Sequence, residues 1–236
     1  MPVPTDARHR LTRLLITAGP THEPIDDVRY LGNRSSGRLG VALADEAARR
    51  GWTTTLLLGP TAVTPSDSRV AVRRFRTCAE LQHLLDAEWP PADTLIMAAA
   101  VADYRPLPPA THPGEPPHKI RRADGPLTLT LEPTPDLLAH LAASRRPGQS
   151  IVGFALEPRE TLFDAAADKL RRKGVDLIVA NPLETMDSHD IDAIVLAREG
   201  PAIPPPGPMP KPAFARWLLS LIDARLRHAG PKPDVP

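Results

Sequence analysis

The chain has 236 residues, with 29 Lys and Arg against 28 Asp and Glu for a formal net charge of +1. Near-neutrality removes the global field that would draw it to nucleic acid or an anionic membrane surface, so partners have to be sought in local clusters. The single cysteine, Cys78, excludes an intrachain disulfide and fits a reducing compartment; no apolar run approaches the ~20 residues of a membrane span and "MPVPTDARHR" lacks a signal-peptide core, so a cytoplasmic protein is expected.

A chain of this length can bury roughly 70 to 75% of its unfolded surface, enough for one large core. "RLLITAG" (Arg13 to Gly19) is a short apolar run stopped by Gly-Pro, the pattern of a buried strand entering a loop. After "VRYLGNRSSGRLG" comes "RLGVALADEAARRG", which puts Leu39, Leu43 and Ala47 on one helical face and stops at Gly51. "WTTTLLLGP" and "VAVRRFR" read as strands, "CAELQHLLDAEW" as a helix and "DTLIMAAAVADY" as a strand running into a loop. This alternation predicts βαβ units around a parallel sheet. "HKIRRADGPLTLTLEPT" reads as a hairpin with Leu127, Leu129 and Leu131 on one face. Then follow a helix with Pro135 in its first turn, the strand "SIVGFALE", the helix "ETLFDAAADKLRRKG", the strands "VDLIVANP" and "IDAIVLAR", and the amphipathic helix "KPAFARWLLSLIDARLRHAG". Of the 30 prolines, six fall in 106–117 and seven in 201–212, two stretches that read as extended, helix-free excursions. The expected architecture is a three-layer, Rossmann-like α/β domain with a mostly parallel sheet and an inserted β-ribbon flap. It spans 13–228, between a flexible 1–12 and a disordered 229–236.

Ligands of such sheets bind at the carboxyl ends of the strands, where loops meet helix N-termini. "NRSSGRLG" offers amides, hydroxyls and glycines suited to cradling an anion. The same residues also serve if Ser35 or Ser36 is only an N-cap and Gly37 and Gly40 only relieve packing. The spacing fits neither the dinucleotide GxGxxG nor the Walker pattern. In "AAAVADYRP" three small residues leave room for a ligand, and Asp103 supplies a carboxylate for hydrogen bonds or a metal. A packed strand end capped by an Asp turn reads equally well. "HKIRR" places Lys119 where a flap cation could offset phosphate charge, although such clusters are commonly solvated faces. Lys169 and Lys173 share a helix face, where cations near the C-terminus are favourable without any ligand. No CxxC pair, HExxH or GxSxG occurs, which removes support for structural zinc, zincin and serine-hydrolase readings. Cys78 reads as a small buried or capping residue.

Taken together and in order, "TAGPTHEPIDDVRYLGNRSSGRLG", "AAAVADYRP", "HKIRR", "PTPDLL", "VGFALE" and "KLRRKGVDLIVAN" resemble the phosphopantothenate-cysteine ligase family, the synthetase half of the bacterial bifunctional coenzyme A biosynthesis protein. The resemblance covers about Leu14 to Leu226. It implies a cytoplasmic, homodimeric ligase that joins 4'-phosphopantothenate to L-cysteine with CTP, or ATP, and Mg2+ through an acyl-nucleotide. By position it gives Asn33 and Lys119 catalytic roles, Asn33 on phosphopantothenate and the acyl-nucleotide, Lys119 on the nucleotide phosphates. Arg29, Ala99, Ala100 and Asp103 match substrate positions, with Arg29 reaching a neighbouring subunit's substrate and Asp103 also near the metal. Gly19, Ser35, Gly37 and Gly40 match the phosphate loops. Pro135, Asp136, Leu137, Leu138, Phe154, Lys169, Lys173 and Asn181 match the nucleotide pocket.

The chain departs from that family after "AN", where "NPLETMDSHD" replaces the usual "GFxSDxN", and at "HKIRR", which keeps only the first lysine of a lysine-rich "KIKK". The flavin-dependent decarboxylase half has no counterpart in this sequence. The expectation is therefore a stand-alone ligase or a piece of a longer protein, without flavin, with room for a separate decarboxylase partner and none for nucleic acid or a membrane. A non-catalytic nucleotide-binding module of the same fold, or an NAD(P)-dependent oxidoreductase, are the other readings of the βαβ pattern.

Overall fold

The computed structural model describes residues 12–107, 119–122, 125–186 and 188–228. The termini expected to be flexible, and most of the proline-rich stretch after Leu107, lie outside them. A seven-stranded sheet forms the centre, made of β1 (Arg13–Ala18), β4 (Thr53–Leu58), β5 (Ala71–Arg74), β6 (Thr94–Met97), β9 (Ser150–Glu157), β10 (Leu177–Pro182) and β12 (Ile194–Ala197). Two-stranded ribbons pair β2 (His22–Pro24) with β3 (Tyr30–Gly32), β7 (Tyr104–Pro106) with β8 (Leu131–Pro133), and β11 (Asp190–Ile191) with β13 (Met209–Pro210). The helices are α1 (Arg38–Arg49), α2 (Cys78–Glu88), α3 (Leu137–Ala143), α4 (Leu162–Lys173) and α5 (Lys211–His228).

The sheet order is β12-β10-β9-β6-β1-β4-β5, with β12 antiparallel to β10 and every other neighbour parallel. From β1 the chain builds outward through β4 to β5, then returns to the other side of β1 for β6. The β1/β6 boundary is therefore the switch point, where loops leaving neighbouring strand ends diverge and open a crevice.

Side-chain alternation along the strands divides the core into two layers. Leu14, Ile16 and Ala18 of β1 pack with α1 and α5, through Val41, Leu43, Ala44, Phe214, Leu218 and Leu219. Leu15 between them faces the other way, with Leu81 and Leu85 of α2, Leu137 and Leu141 of α3 and Ala166 and Leu170 of α4. The expected face of α1 is the buried one: Leu43 and Ala47 are fully covered, and Leu39 packs on the same layer. Arg50 completes that layer by donating to Glu46, to the Arg216 carbonyl at 2.7 Å and to Ser220 Oγ at 3.0 Å, which fastens α1 to α5.

Four local expectations are corrected. The hairpin does not lie within 119–133: β8 pairs antiparallel with β7, and residues 119–122 have no regular structure. Local alternation cannot distinguish a strand's neighbour in sequence from a partner some 27 residues away, such as Glu132 for Arg105. The "IDAIVLAR" run is broken into β11 and β12. Pro135 precedes the α3 cap rather than entering its first turn: Asp136 is the N-cap, its side chain accepting from Ala139 N. The second proline-rich stretch is helix-free only to Pro210, because Pro212 sits in the first turn of α5, where its missing N–H is no loss.

Candidate functional site

The loops leaving β1 and β6 are stitched together. Ala98 N donates to the Thr17 carbonyl (3.2 Å), Ala100 N to the Gly19 carbonyl (2.9 Å) and Thr21 N to the Ala100 carbonyl (3.2 Å). Two buried threonine hydroxyls fill the remaining places, Thr17 Oγ1 accepting from Ala99 N at 3.1 Å and Thr21 Oγ1 from Ala102 N at 2.9 Å. Thr134, just past β8, closes the far side by donating to the Ala102 carbonyl (2.6 Å) and the Asp103 carbonyl (2.9 Å). Small residues at Ala98 to Ala100 thus let one loop lie against the other, with no side chain between.

Asn33, one residue past β3, joins this seam: its Nδ2 donates to the Val101 carbonyl at 2.9 Å. The amide is exposed, and an amide oxygen can accept from a second group while the nitrogen donates. Asn33, Ala99, Ala100 and Asp103 therefore lie along one seam.

The start of α1 differs in mechanism from a serine cap. Gly37 occupies the N-cap with φ 70°, and no side chain caps the helix. A left-handed residue at that place is best served by glycine, so neither Ser35 nor Ser36 is the N-cap. Thr61 Oγ1 holds the Ser36 carbonyl at 2.7 Å. Gly19, also left-handed at φ 80°, lies beside it: a Cβ on Gly37 would stand 3.5 Å from Gly19 N and 3.2 Å from Thr61 Cγ2. Gly40 has a packing role as well, since a Cβ there would fall 2.3 Å from Ala18 Cβ. Helix α1 can sit this close to β1 only without that atom. The uncapped first-turn amides and the helix dipole face the strand-end crevice with partial positive charge.

The far end of the crevice is ionic. Lys173 pairs with Asp136, which at the same time caps α3. Burial would raise the Asp136 carboxyl, but the Lys173 ammonium and the Ala139 amide outweigh it and hold it below the usual range. Burial lowers Lys169, helped by the neighbouring Lys173 and opposed by Glu157, Asp103 and Asp136. Asn181 Nδ2 donates to Thr185 Oγ1 at 3.0 Å, which turns the chain after β10.

The proposed nucleotide residues do not share one face. Leu137 and Leu138 pack on the α2–α4 side, and a Cβ on Gly153 would meet Ile178 Cδ1 at 2.9 Å and Leu138 Cδ2 at 3.0 Å there. Phe154, the next residue, packs against the α1/α5 layer. By strand alternation the half-exposed Leu156 and, on β10, Asn181 follow Phe154's side.

Sequence reasoning missed several residues that build this site. Thr17 and Thr21 are visible only as hydroxyls interrupting an apolar run; Gly59 repeats the Gly-Pro of Gly19 one strand over, and a Cβ on it would fall 2.2 Å from the Pro20 carbonyl. Glu23, buried, accepts from Cys78 N at 2.8 Å. Cys78 itself is the covered first residue of α2, Thr77 is the cap, and burial, with Glu23 adding to it, pushes the thiol up, against activation. Asp26, buried in the turn between β2 and β3, is the most consequential of them.

Among the described residues no group of three or more His, Cys, Asp or Glu side chains is placed to hold a metal, and no helix is long and apolar enough to cross a membrane. A lone carboxylate such as Asp103 suits a magnesium ion carried mainly by phosphate oxygens rather than an all-protein cage. A cavity of about 480 Å3 lies on the outer side of α1, lined by Arg38, Asp45 and Arg216 among others, and shares none of the seam residues.

These features define a Rossmann-like α/β domain with its crevice at the switch point of a mostly parallel sheet. The chain belongs to the family described as DNA/pantothenate metabolism flavoprotein C-terminal domain, whose pattern matches residues 10–226. It is similar to a cysteine/cysteine sulfinic acid decarboxylase from an unknown prokaryotic organism, 42% identical over 172 residues, covering 73% of this chain and 46% of that protein. It is also 42% identical over 191 residues to the coenzyme A biosynthesis bifunctional protein CoaBC of Mycobacterium bovis, covering 77% of this chain and 44% of that one. The crystal structure of the C-terminal domain of a CoaBC superposes with TM-score 0.76 at 32% identity over 92% of this chain and 96% of that one. The chain thus spans less than half the length of these curated relatives.

Proposed function

We propose that this domain condenses 4'-phosphopantothenate with L-cysteine through an acyl-nucleotide, with CTP, or ATP, as co-substrate. The observation that carries the reading is the seam: Asn33 hydrogen-bonded to the Val101 carbonyl, beside the facing glycines Gly19 and Gly37 at the start of α1. The coenzyme A role named for the CoaBC relative supports the substrate assignment.

In the first half-reaction the phosphopantothenate carboxylate attacks the α-phosphorus of the nucleoside triphosphate. The new acyl O–P bond forms as the α–β P–O bond breaks, and pyrophosphate leaves. Such a transfer depends on positioning and charge neutralisation more than on a protein nucleophile. The amides around Gly19, Gly37 and the first turn of α1 cradle phosphate, and Lys119, Lys169 and Lys173 supply positive charge as negative charge builds on the departing pyrophosphate. Asp103 would help hold a magnesium ion carried on the triphosphate, which would supply neutralisation of phosphate charge. In the second half-reaction the cysteine amine attacks the acyl carbon, the C–N bond forms, the nucleoside monophosphate leaves and the amine proton passes to solvent. Asn33 donates through its amide nitrogen and accepts through its oxygen, which suits it to hold the acyl-nucleotide against the Val101 loop.

The half-exposed Val28, Tyr30 and Tyr104 on the two ribbons support a homodimer, with Arg29 at its edge. Purified protein with CTP or ATP, Mg2+, phosphopantothenate and cysteine is expected to release pyrophosphate; no release with either nucleotide refutes the ligase reading. Asn33→Ala is expected to slow cysteine transfer more than activation and so accumulate acyl-nucleotide. Lys119→Ala is expected to slow pyrophosphate release itself.

A further inference from the structure

Asp26 is a carboxylate with almost no exposure, in the turn between β2 and β3. Its Oδ1 accepts from Val28 N at 2.9 Å and Arg29 N at 2.7 Å, which closes the turn. Its Oδ2 faces away and accepts from Arg29 Nε at 3.0 Å, from Arg29 Nη2 and from Ile120 N at 3.0 Å. Arg29 Nη2 in turn donates to the Ile120 carbonyl at 3.0 Å. Five donors compensate for the loss of water around this buried charge. The Arg29 guanidinium, then the Ile120, Val28 and Arg29 amides, hold the Asp26 carboxyl well below the usual range against the opposing effect of burial. The carboxylate is therefore ionised whenever the fold is intact at neutral pH.

The geometry carries more than a stable turn. The N–H of Ile120 belongs to the peptide that joins it to Lys119, so Asp26 holds the main chain at Lys119 directly. Residues 119–122 have no strand or helix to fix them, and among the described residues the hydrogen bonds of Ile120 are these two, both to the Asp26/Arg29 pair. The turn that Asp26 closes leads through β3 straight into Asn33. One side chain thus links the residue proposed for activation with the strand that delivers the residue proposed for cysteine transfer, across 94 positions of sequence.

We infer that Asp26 is a positioning residue for carboxylate activation: with Arg29 it clamps both main-chain groups of Ile120 and so aims the Lys119 ammonium at the nucleotide phosphates. The inference rests on the role of Lys119 proposed above. Asp26 itself touches no reacting atom.

Asp26→Asn is the informative change, because an amide oxygen can keep the Oδ1 contacts of the turn while its NH2 group confronts the Ile120 N–H and the guanidinium where an acceptor stood. On the full chain, limited trypsin digestion followed by mass spectrometry is expected to show cleavage after Lys119, Arg121 and Arg122 at least about fivefold faster than in the wild type, with the thermal midpoint checked in parallel. Unchanged cleavage overturns the clamp, independently of any activity. Pyrophosphate release is expected to fall about 10- to 100-fold in kcat, with KM for cysteine unchanged. In a Lys119→Ala background the same substitution is expected to add nothing; an additive loss, or a wild-type kcat despite faster cleavage, overturns the positioning role. If Lys119→Ala retains full activity, the reading of Lys119 falls and the inference with it. If Lys119→Ala is impaired and Asp26→Asn is not, the inference alone falls.

Discussion

The two ends of the crevice are held by different forces. At the switch point, the loops after β1 and β6 meet through main-chain bonds, two buried threonine hydroxyls and a glycine contact, without a charged group in the seam. At the α3/α4 end, shape depends on Lys173 gripping Asp136, with the largely desolvated Lys169 next to it. Neutral, saturated contacts have no better partner to take and so fix a shape, whereas an ion pair can exchange one anion for another. The first end is a frame; the second is a set of charges that, on the function proposed above, an incoming phosphate would reassign, since Asp136 keeps its place as the α3 cap after losing Lys173.

That contrast is sharpened most by breaking the frame. Gly40→Ala forces a methyl into the space of Ala18, and a cost of about 2 to 3 kcal/mol in urea unfolding is expected. Adding Ala18→Gly is expected to restore about half, which localises the cost to that one approach. Thr17→Val leaves the Ala99 amide buried without an acceptor and is expected to cost about 1 to 2 kcal/mol. At the ionic end, Lys173→Met is expected to change stability by less than about 1 kcal/mol, since Asp136 is half exposed, yet to weaken triphosphate binding about tenfold by calorimetry. A loss of stability there as large as at Gly40 would mean that the ion pair is part of the rigid frame.

The smallest effect is a pH dependence. The Asp136 carboxyl lies lower in the folded protein than its unfolded value of about 3.9. Its contribution to stability is therefore complete above that value and is lost as pH falls through the folded one. The difference between wild type and Lys173→Met is expected to be constant from pH 7 to about 5 and to shrink toward about pH 3, read as urea midpoints.

Much of this architecture is legible in the chain because it rests on local periodicity. The strand-helix alternation, the α1 face around Leu43 and Ala47 and the glycine-bearing turns all announce themselves within a few residues. What escapes is set by partners distant in sequence. Nothing near Asp26 marks Ile120 as its acceptor's donor, and nothing near Leu131 marks β7 as its strand's neighbour. Gly37 takes the cap from two adjacent serines because the backbone there is left-handed, a property of the closed loop rather than of the local string. Phe154 and Leu138 stand in motifs that read as one pocket, but the alternation of β9 sends Phe154 to the opposite layer.

The packing of α5 has a bearing on how the crevice comes into being. The α1 face that supports the Gly37 turn is covered by Phe214, Leu218, Leu219 and Ile222 of α5, residues far along the chain from α1. Contacts separated this far in sequence form slowly. A nascent chain translated as far as β10 already carries every residue of the seam, but it leaves the apolar side of α1 uncovered until α5 arrives. The Gly37 turn is therefore expected to become rigid only once α5 has docked, and until then the uncovered face of α1 is a surface for chaperones.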